Sequence, residues 1–137
     1  MKLNIILKSL FAFILIALFA FSFVACKKNK SNAKSKYEKI SSAEAKEIMD
    51  NQTGYVILDV RTPFEYEEEH IEGAVLIPDN EISQKAEQVL TDKDQLILVY
   101  CRSGRRSKLA ADELVKLGYT NIKDFGGIID WQYETVK

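Results

Sequence analysis

The chain has 137 residues, 47 % hydrophobic and 28 % charged, with 19 basic against 20 acidic residues and a formal net charge of −1 at pH 7. That balance gives no electrostatic case for nucleic acid, which needs a strongly basic face. Two cysteines, one histidine and no CxxC pair argue against a zinc site and against dithiol redox chemistry within the chain; nothing in the pattern calls for a metal or other cofactor.

Residues 1–25 are a different material from the rest. Lys2 and Lys8 mark a basic start, Ser9 to Ala25 is almost wholly apolar, and the small Ala25 precedes Cys26. Such an order makes a secretory signal. Phe23-Val24-Ala25-Cys26 resembles a bacterial lipobox, with Phe23 where that motif usually carries Leu. The resemblance implies that Cys26 is lipidated and becomes the mature N-terminus. The alternative is an uncleaved signal anchor, because the apolar stretch is nearly long enough to span a bilayer. A membrane helix has no need of a cysteine at that border, which favours the lipoprotein. Both readings export the domain to the cell envelope and tether it to a membrane. Residues 26–36 carry Lys, Asn, Ser and Ala with no large apolar residue and read as a flexible tether. Residues 37–137 remain as one folded domain of ordinary small size. From Cys26 onward 17 basic residues face 20 acidic ones, a net of −3.

Within that domain Tyr37 to Ile40 is a short strand candidate. Ser41-Ser42-Ala43-Glu44 has the spacing of a capping box and predicts a helix to about Asp50. Gly54 breaks it, and Tyr55 to Leu58 is a continuous apolar run ending at Asp59. Thr62-Pro63-Phe64-Glu65 repeats the box with Pro at the first helical position, predicting a short helix through Glu69 or His70. Gly73 turns into the strand Ala74 to Ile77, stopped by Pro78, and Glu81 to Leu90 reads as helix. Gln95 to Tyr100 is the next strand. Ser107 to Leu117 is an amphipathic helix with Ala110, Leu114 and Leu117 on one face and Gly118 as its cap. Asn121 to Phe125 is a last strand, followed by Gly126-Gly127 and a short helical tail around Trp131. Apolar strands each separated by a helix predict an α/β domain with a mostly parallel sheet of about five strands, covered on both faces. In such sheets ligands bind beyond the carboxyl ends of the strands, where Asp59 and Cys101 both fall.

The segment from Leu96 to Ser107 carries the most chemistry. An apolar strand reads into Cys101, and Arg102, Gly104, Arg105 and Arg106 follow within five positions. A cysteine ending a strand is commonly just a small core residue. A core cysteine, however, has no use for three cations, and burying unpaired Arg is costly. The pattern predicts a thiol delivered to a loop ahead of a helix N-terminus, where backbone N–H groups favour an anion or a thiolate. With Cys26 lipidated, Cys101 has no intramolecular partner and is left as a reactive thiol or the source of an intermolecular disulfide. Asp59 is expected to accept backbone N–H bonds at its strand end, with Arg61 beside it as support. His70 is given no catalytic role, and Glu65, Glu67, Glu68 and Glu69 are expected to form a solvated helix face. Trp131 and Tyr133 are expected to pack.

Three segments together resemble a single-domain rhodanese: Asp59 to Ala74 running on to Ile77-Pro78, the loop Tyr100 to Ser107, and Phe125-Gly126-Gly127 with Trp131. They cover nearly all of Tyr37 to Trp131 in order and spacing. Glu69 stands where many members have Gly, and little chain follows Trp131. The resemblance implies a rhodanese-like three-layer domain and sulfane-sulfur transfer. Cys101 would take the outer sulfur of a small anionic donor such as thiosulfate, hold it as a persulfide, and yield it to cyanide or a thiol, which could belong to an envelope thiol protein. The N–H groups from Arg102 through Ser103, Gly104 and Arg105 to Arg106 would cradle the sulfur. Arg102 and Arg105 would meet the donor, with Arg106 either joining them or bracing the loop.

Three rival functions differ in what they require of this loop. A cysteine phosphatase or arsenate reductase on a related fold needs Arg six positions after the cysteine, where this chain has Ser107. A loop one residue shorter suits a sulfur atom rather than a phosphoryl group. A non-catalytic rhodanese-like module would be expected to lack the nucleophile that Cys101 supplies. An envelope persulfide carrier or thiol-redox partner shares the whole loop and differs only in its acceptor.

Overall fold

The computed structural model describes residues 37–137; the predicted signal segment, the tether and Cys26 lie outside the described residues. Five parallel strands run β1 (Glu38–Lys39), β2 (Val56–Asp59), β3 (Val75–Leu76), β4 (Ile97–Cys101) and β5 (Ile122–Gly127), in the spatial order β1-β5-β4-β2-β3. Four α-helices connect them: α1 (Ser42–Asn51), α2 (Pro63–Glu68), α3 (Ile82–Val89) and α4 (Arg105–Lys116). Short 3-10 turns at Asp79–Glu81 and Ile128–Asp130 precede α3 and follow β5.

Alternation along β4 sets up the three layers. Ile97, Val99 and Cys101 face one cluster with Leu58, Ile82 and Ala86 of α3, and Ala110, Ala111 and Leu114 of α4. Leu98 and Tyr100 face the other, with Ala45 of α1, Ile57, Ile71 and Phe125. All five residues of β4 are buried, as a central parallel strand covered on both faces requires. Both predicted capping boxes are present: Ser41 and Glu44 close the start of α1, and Thr62 and Glu65 that of α2 with Pro63 in its first turn. The sheet is the parallel, doubly covered α/β arrangement that the alternation predicts. The chain leaves β2 for the edge at β3, then crosses back to β4 on the other side of β2. This reversal is a topological switch point, and it opens a crevice at the carboxyl ends of β2 and β4.

Several boundaries differ from the sequence expectation by one or two residues, and three of them shape the site. α4 begins at Arg105 rather than Ser107, because Gly104 takes a left-handed φ of 93° and turns the chain straight into the helix. α2 ends at Glu68, since the Glu69 carbonyl is taken by the Arg61 guanidinium at 2.6 Å and His70 instead exchanges backbone bonds with Val136. β5 runs through Gly127, not Phe125, with a bulge that lets Gly127 pair with Cys101.

That last pairing is tight. A Cβ on Gly127 would stand 2.2 Å from the Arg102 carbonyl oxygen and 2.6 Å from the Ser103 Cα. Both are backbone atoms, so no side chain can swing aside. Gly127→Ala is therefore expected to push the loop off β5, destabilising the domain by about 1–3 kcal/mol, which in thermal denaturation lowers Tm by roughly 4–8 °C per kcal/mol. An unchanged Tm would show that the contact is loose.

Candidate active site

β4 carries Cys101 to its carboxyl end with the thiol turned toward α3 and α4, and the residue is only 1 % exposed. The chain then folds back over it. The left-handed turn at Gly104 directs that residue's N–H to the Cys101 Sγ at 3.0 Å. α4 starts at the next residue, and among the described residues no side chain caps it. The first amides of a helix have no acceptor within it, and the macrodipole places partial positive charge there. Backbone alone thus favours negative charge on an atom placed in this cradle. The loop is braced from behind by Ser107, whose hydroxyl lies 3.2 Å from the Gly104 carbonyl and 3.3 Å from that of Gly126. Ile129 closes it from the other side, donating its N–H to the Arg102 carbonyl at 3.2 Å.

The four arginines near the site divide into two kinds. Arg102 and Arg105 are exposed, and their guanidinium groups meet no acceptor among the described residues. Arg106 is clamped: its two terminal nitrogens each reach a Glu65 carboxylate oxygen at 2.7 Å. Glu65 holds the guanidinium proton more tightly, and the nearby Cys101 adds to the effect. The bracing role is thus the one in which the structure places Arg106. Arg61 is 3 % exposed and bound to the fully buried Asp59, with Nη2 to Oδ2 at 2.7 Å and Nε to both oxygens at 2.9–3.0 Å. Burial works against its charge, yet the hydrogen bonds and attraction of Asp59 raise its pKa.

Asp59 also accepts the backbone N–H of Arg61 at 2.9 Å, and so folds the β2–α2 connection back on itself. The Tyr100 ring lies under the Arg61 guanidinium, 5.5 Å from its centre, and its hydroxyl accepts the Ile71 N–H at 3.2 Å. Burial and the adjacent Asp59 carboxylate push the Tyr100 hydroxyl well above the ordinary tyrosine range, so it is a neutral structural group. Together these residues form a buried polar base beneath the carboxyl end of β4. Breaking a buried pair of this kind by removing one partner costs about 3–5 kcal/mol.

Glu65 corrects a sequence expectation. It belongs to no solvated face: it caps α2 at Thr62 and holds Arg106 across the crevice. The Thr62-to-Glu65 spacing announced the cap but carried no signal of the clamp, which joins residues 41 positions apart. The sequence motifs that contain Ser107 and Gly127 carry no signal of the bracing and close-approach roles of these two residues. His70 stacks on Tyr66 with ring centres 3.8 Å apart. Its Nδ1 lies 2.9 Å from the Tyr66 carbonyl, which can only accept, so that nitrogen carries the proton. Trp131 is half-buried, 5.7 Å from the Phe125 ring and 4.9 Å from that of Tyr133.

This geometry has counterparts. The chain is 38 % identical over 80 residues to the thiosulfate sulfurtransferase PspE of Escherichia coli, covering 58 % of this chain and 77 % of that protein. It is 35 % identical over 108 residues to the putative sulfur carrier protein YrkF of Bacillus subtilis, covering 78 % of this chain and 57 % of that protein. Among solved structures it resembles an E. coli rhodanese obtained with anions, at 36 % identity and a TM-score of 0.57, over 61 % of this chain and 98 % of that one. The model of the rhodanese-like domain matches residues 41–134, a span that takes in Asp59, the cradle and Gly127 alike, and the chain belongs to that family.

Proposed function

We propose that this protein is a sulfurtransferase working through a persulfide on Cys101. The Cys101 thiolate attacks the outer sulfur of thiosulfate or a similar anion; the donor's S–S bond breaks and sulfite leaves. The new Cys101 persulfide is then attacked at its outer sulfur by cyanide or a thiolate, which departs as thiocyanate or a persulfide and returns the Cys101 thiolate. The observation that carries this reading is the Gly104 N–H on the Cys101 sulfur at 3.0 Å, in a loop that opens directly onto α4. Preorganised donors of this type each supply on the order of 3 kcal/mol where charge develops. The exposed Arg102 and Arg105 draw in the dianionic donor. The names of the similar proteins support the same chemistry.

A carrier role, in which Cys101 yields its sulfur to one protein partner, is the second reading, favoured by the similarity to a putative sulfur carrier. It uses the same two steps. A phosphatase or arsenate reductase finds no support: position 107 holds a buried serine bonded to two carbonyls. We further propose, from the sequence of residues 1–36, that the enzyme works at the cell envelope, exported by its signal and held by a lipid on Cys26.

Thiocyanate release from thiosulfate and cyanide by the full chain in detergent tests the reading. Cys101→Ser is expected to abolish turnover. Arg102→Ala and Arg105→Ala are each expected to lower kcat/KM for thiosulfate by roughly tenfold, the scale of one lost charged hydrogen bond, with the cyanide step spared. Turnover surviving in Cys101→Ser would overturn the proposal.

The clamp behind the cradle has its own signature. Arg106, and after it Thr62, hold the Glu65 carboxyl at about 2, below its ordinary 4.5. A carboxyl depressed in the folded state stabilises it fully above its unfolded value and ceases to do so as pH falls through the folded one. The Tm difference between wild type and Glu65→Gln is therefore expected to be constant above pH about 5 and to shrink between about 4.5 and 2. A difference independent of pH would show that the pair contributes no linkage.

A further inference from the structure

A cleft of about 480 Å³ opens beside the cradle, between the start of α2 and the 3-10 turn after β5. Its lining joins Arg102, the residue after the nucleophile, to Phe64, Ile129, Glu68 and Glu69. Two of these are large apolar side chains left in water: Phe64 is 68 % exposed and Ile129 63 %. Neither is loose. Phe64 sits in the first turn of α2, fixed by the Thr62–Glu65 capping box, and Ile129 is tied by its N–H to the Arg102 carbonyl. Exposed apolar anchors on either side of one cleft, beside the residue that follows the nucleophile, are features of a docking surface rather than of scattered surface apolarity.

The charges around the cleft say what docks. Of the two cations that line it, Arg61 is consumed by Asp59, and Glu65 of the same lining is taken by Arg106, which leaves Arg102, next to the nucleophile in sequence, as the open positive group. The same lining carries the exposed carboxylates of Glu68 and Glu69; Glu68 meets no cation among the described residues, and Glu69 takes only the Thr135 hydroxyl. A small anion such as cyanide draws nothing from these carboxylates or from the apolar walls.

Resting on the sulfurtransferase reading above, we infer that the acceptor is a protein thiol: a reduced cysteine flanked by an apolar residue and by Lys or Arg. Its thiolate meets Arg102 and the outer sulfur of the Cys101 persulfide, its apolar neighbour packs between Phe64 and Ile129, and its cation pairs with Glu68 and Glu69. The acceptor thiolate bonds to the outer sulfur, the bond from that sulfur to Cys101 Sγ breaks, and the Cys101 thiolate is restored. No net oxidation or reduction occurs.

Full-length protein loaded with thiosulfate can be assayed against three acceptors: cyanide, a synthetic peptide with Lys and Leu beside its cysteine, and one with Asp and Ser there. The wild type is expected to prefer the basic, apolar peptide. Glu68→Lys and Phe64→Ser are each expected to lower kcat/KM for that peptide by roughly tenfold, a scale typical of lost interface complementarity, while cyanide turnover stays within about twofold and, with Glu68→Lys, the acidic peptide improves. Comparing each peptide across variants cancels the difference in its own thiol acidity. Equal losses on all three acceptors, or no loss on any, would overturn the docking surface while leaving sulfur transfer intact. A peptide rate that falls as the protein is concentrated would assign the cleft to a second copy of the chain and overturn the partner thiol. Absent cyanide turnover in wild type would overturn the sulfurtransferase reading itself, and this inference with it.

Discussion

The approach of one backbone to another, loop 101–105 against Gly126 and Gly127, is the constraint on which the site depends. A sulfur that reacts must be reachable, yet a sulfur that carries charge must be surrounded by donors. Side chains could supply the donors only by filling the space above the sulfur. This fold supplies one from the main chain, the Gly104 N–H, and the loop can lie that close to β5 only because Gly127 lacks a side chain. From that closure follow the left-handed turn at Gly104, the immediate start of α4, and the N–H on Cys101.

Around this neutral cradle the charges are sorted by distance from the sulfur. Arg61 is spent on Asp59 in a buried pair that shapes the end of β2, and Arg106 is spent on Glu65, binding α2 to α4 across the crevice. Spending two cations structurally leaves Arg102 and Arg105 as the exposed ones that follow the cysteine, with no acceptor among the described residues. Positive charge is thus available to an entering anion without being buried unpaired, a cost that isolated arginines in the crevice would incur. The Tyr100 hydroxyl, kept neutral between Asp59 and the Ile71 amide, lets the strand end rest on a polar base without adding another charge.

Much of this was legible in the sequence, because the signals are local. Both capping boxes announced their helices, the apolar runs announced buried parallel strands, and the run into Cys101 and its arginines announced a thiol at a strand end just ahead of a helix N-terminus. What escaped was carried by contacts between distant positions. Glu65 looked like one of four solvated glutamates because its partner lies 41 residues away, and Ser107 looked like the opening residue of its helix because the carbonyls it braces, one of them on β5, leave no mark on local spacing. Gly127 gave no sign that its missing Cβ matters, since the atoms that would collide with it belong to a loop 25 positions earlier. Spacing reads what one turn or one strand decides, and closure of the crevice is decided between elements.

The most direct test of the account is the intact mass of the protein before and after exposure to thiosulfate, with Cys101→Ser alongside. The account predicts a gain of one sulfur atom on the wild type alone, removed by cyanide as thiocyanate. A protein that takes up no sulfur from thiosulfate or from a polysulfide, or a gain that persists without Cys101, would contradict it.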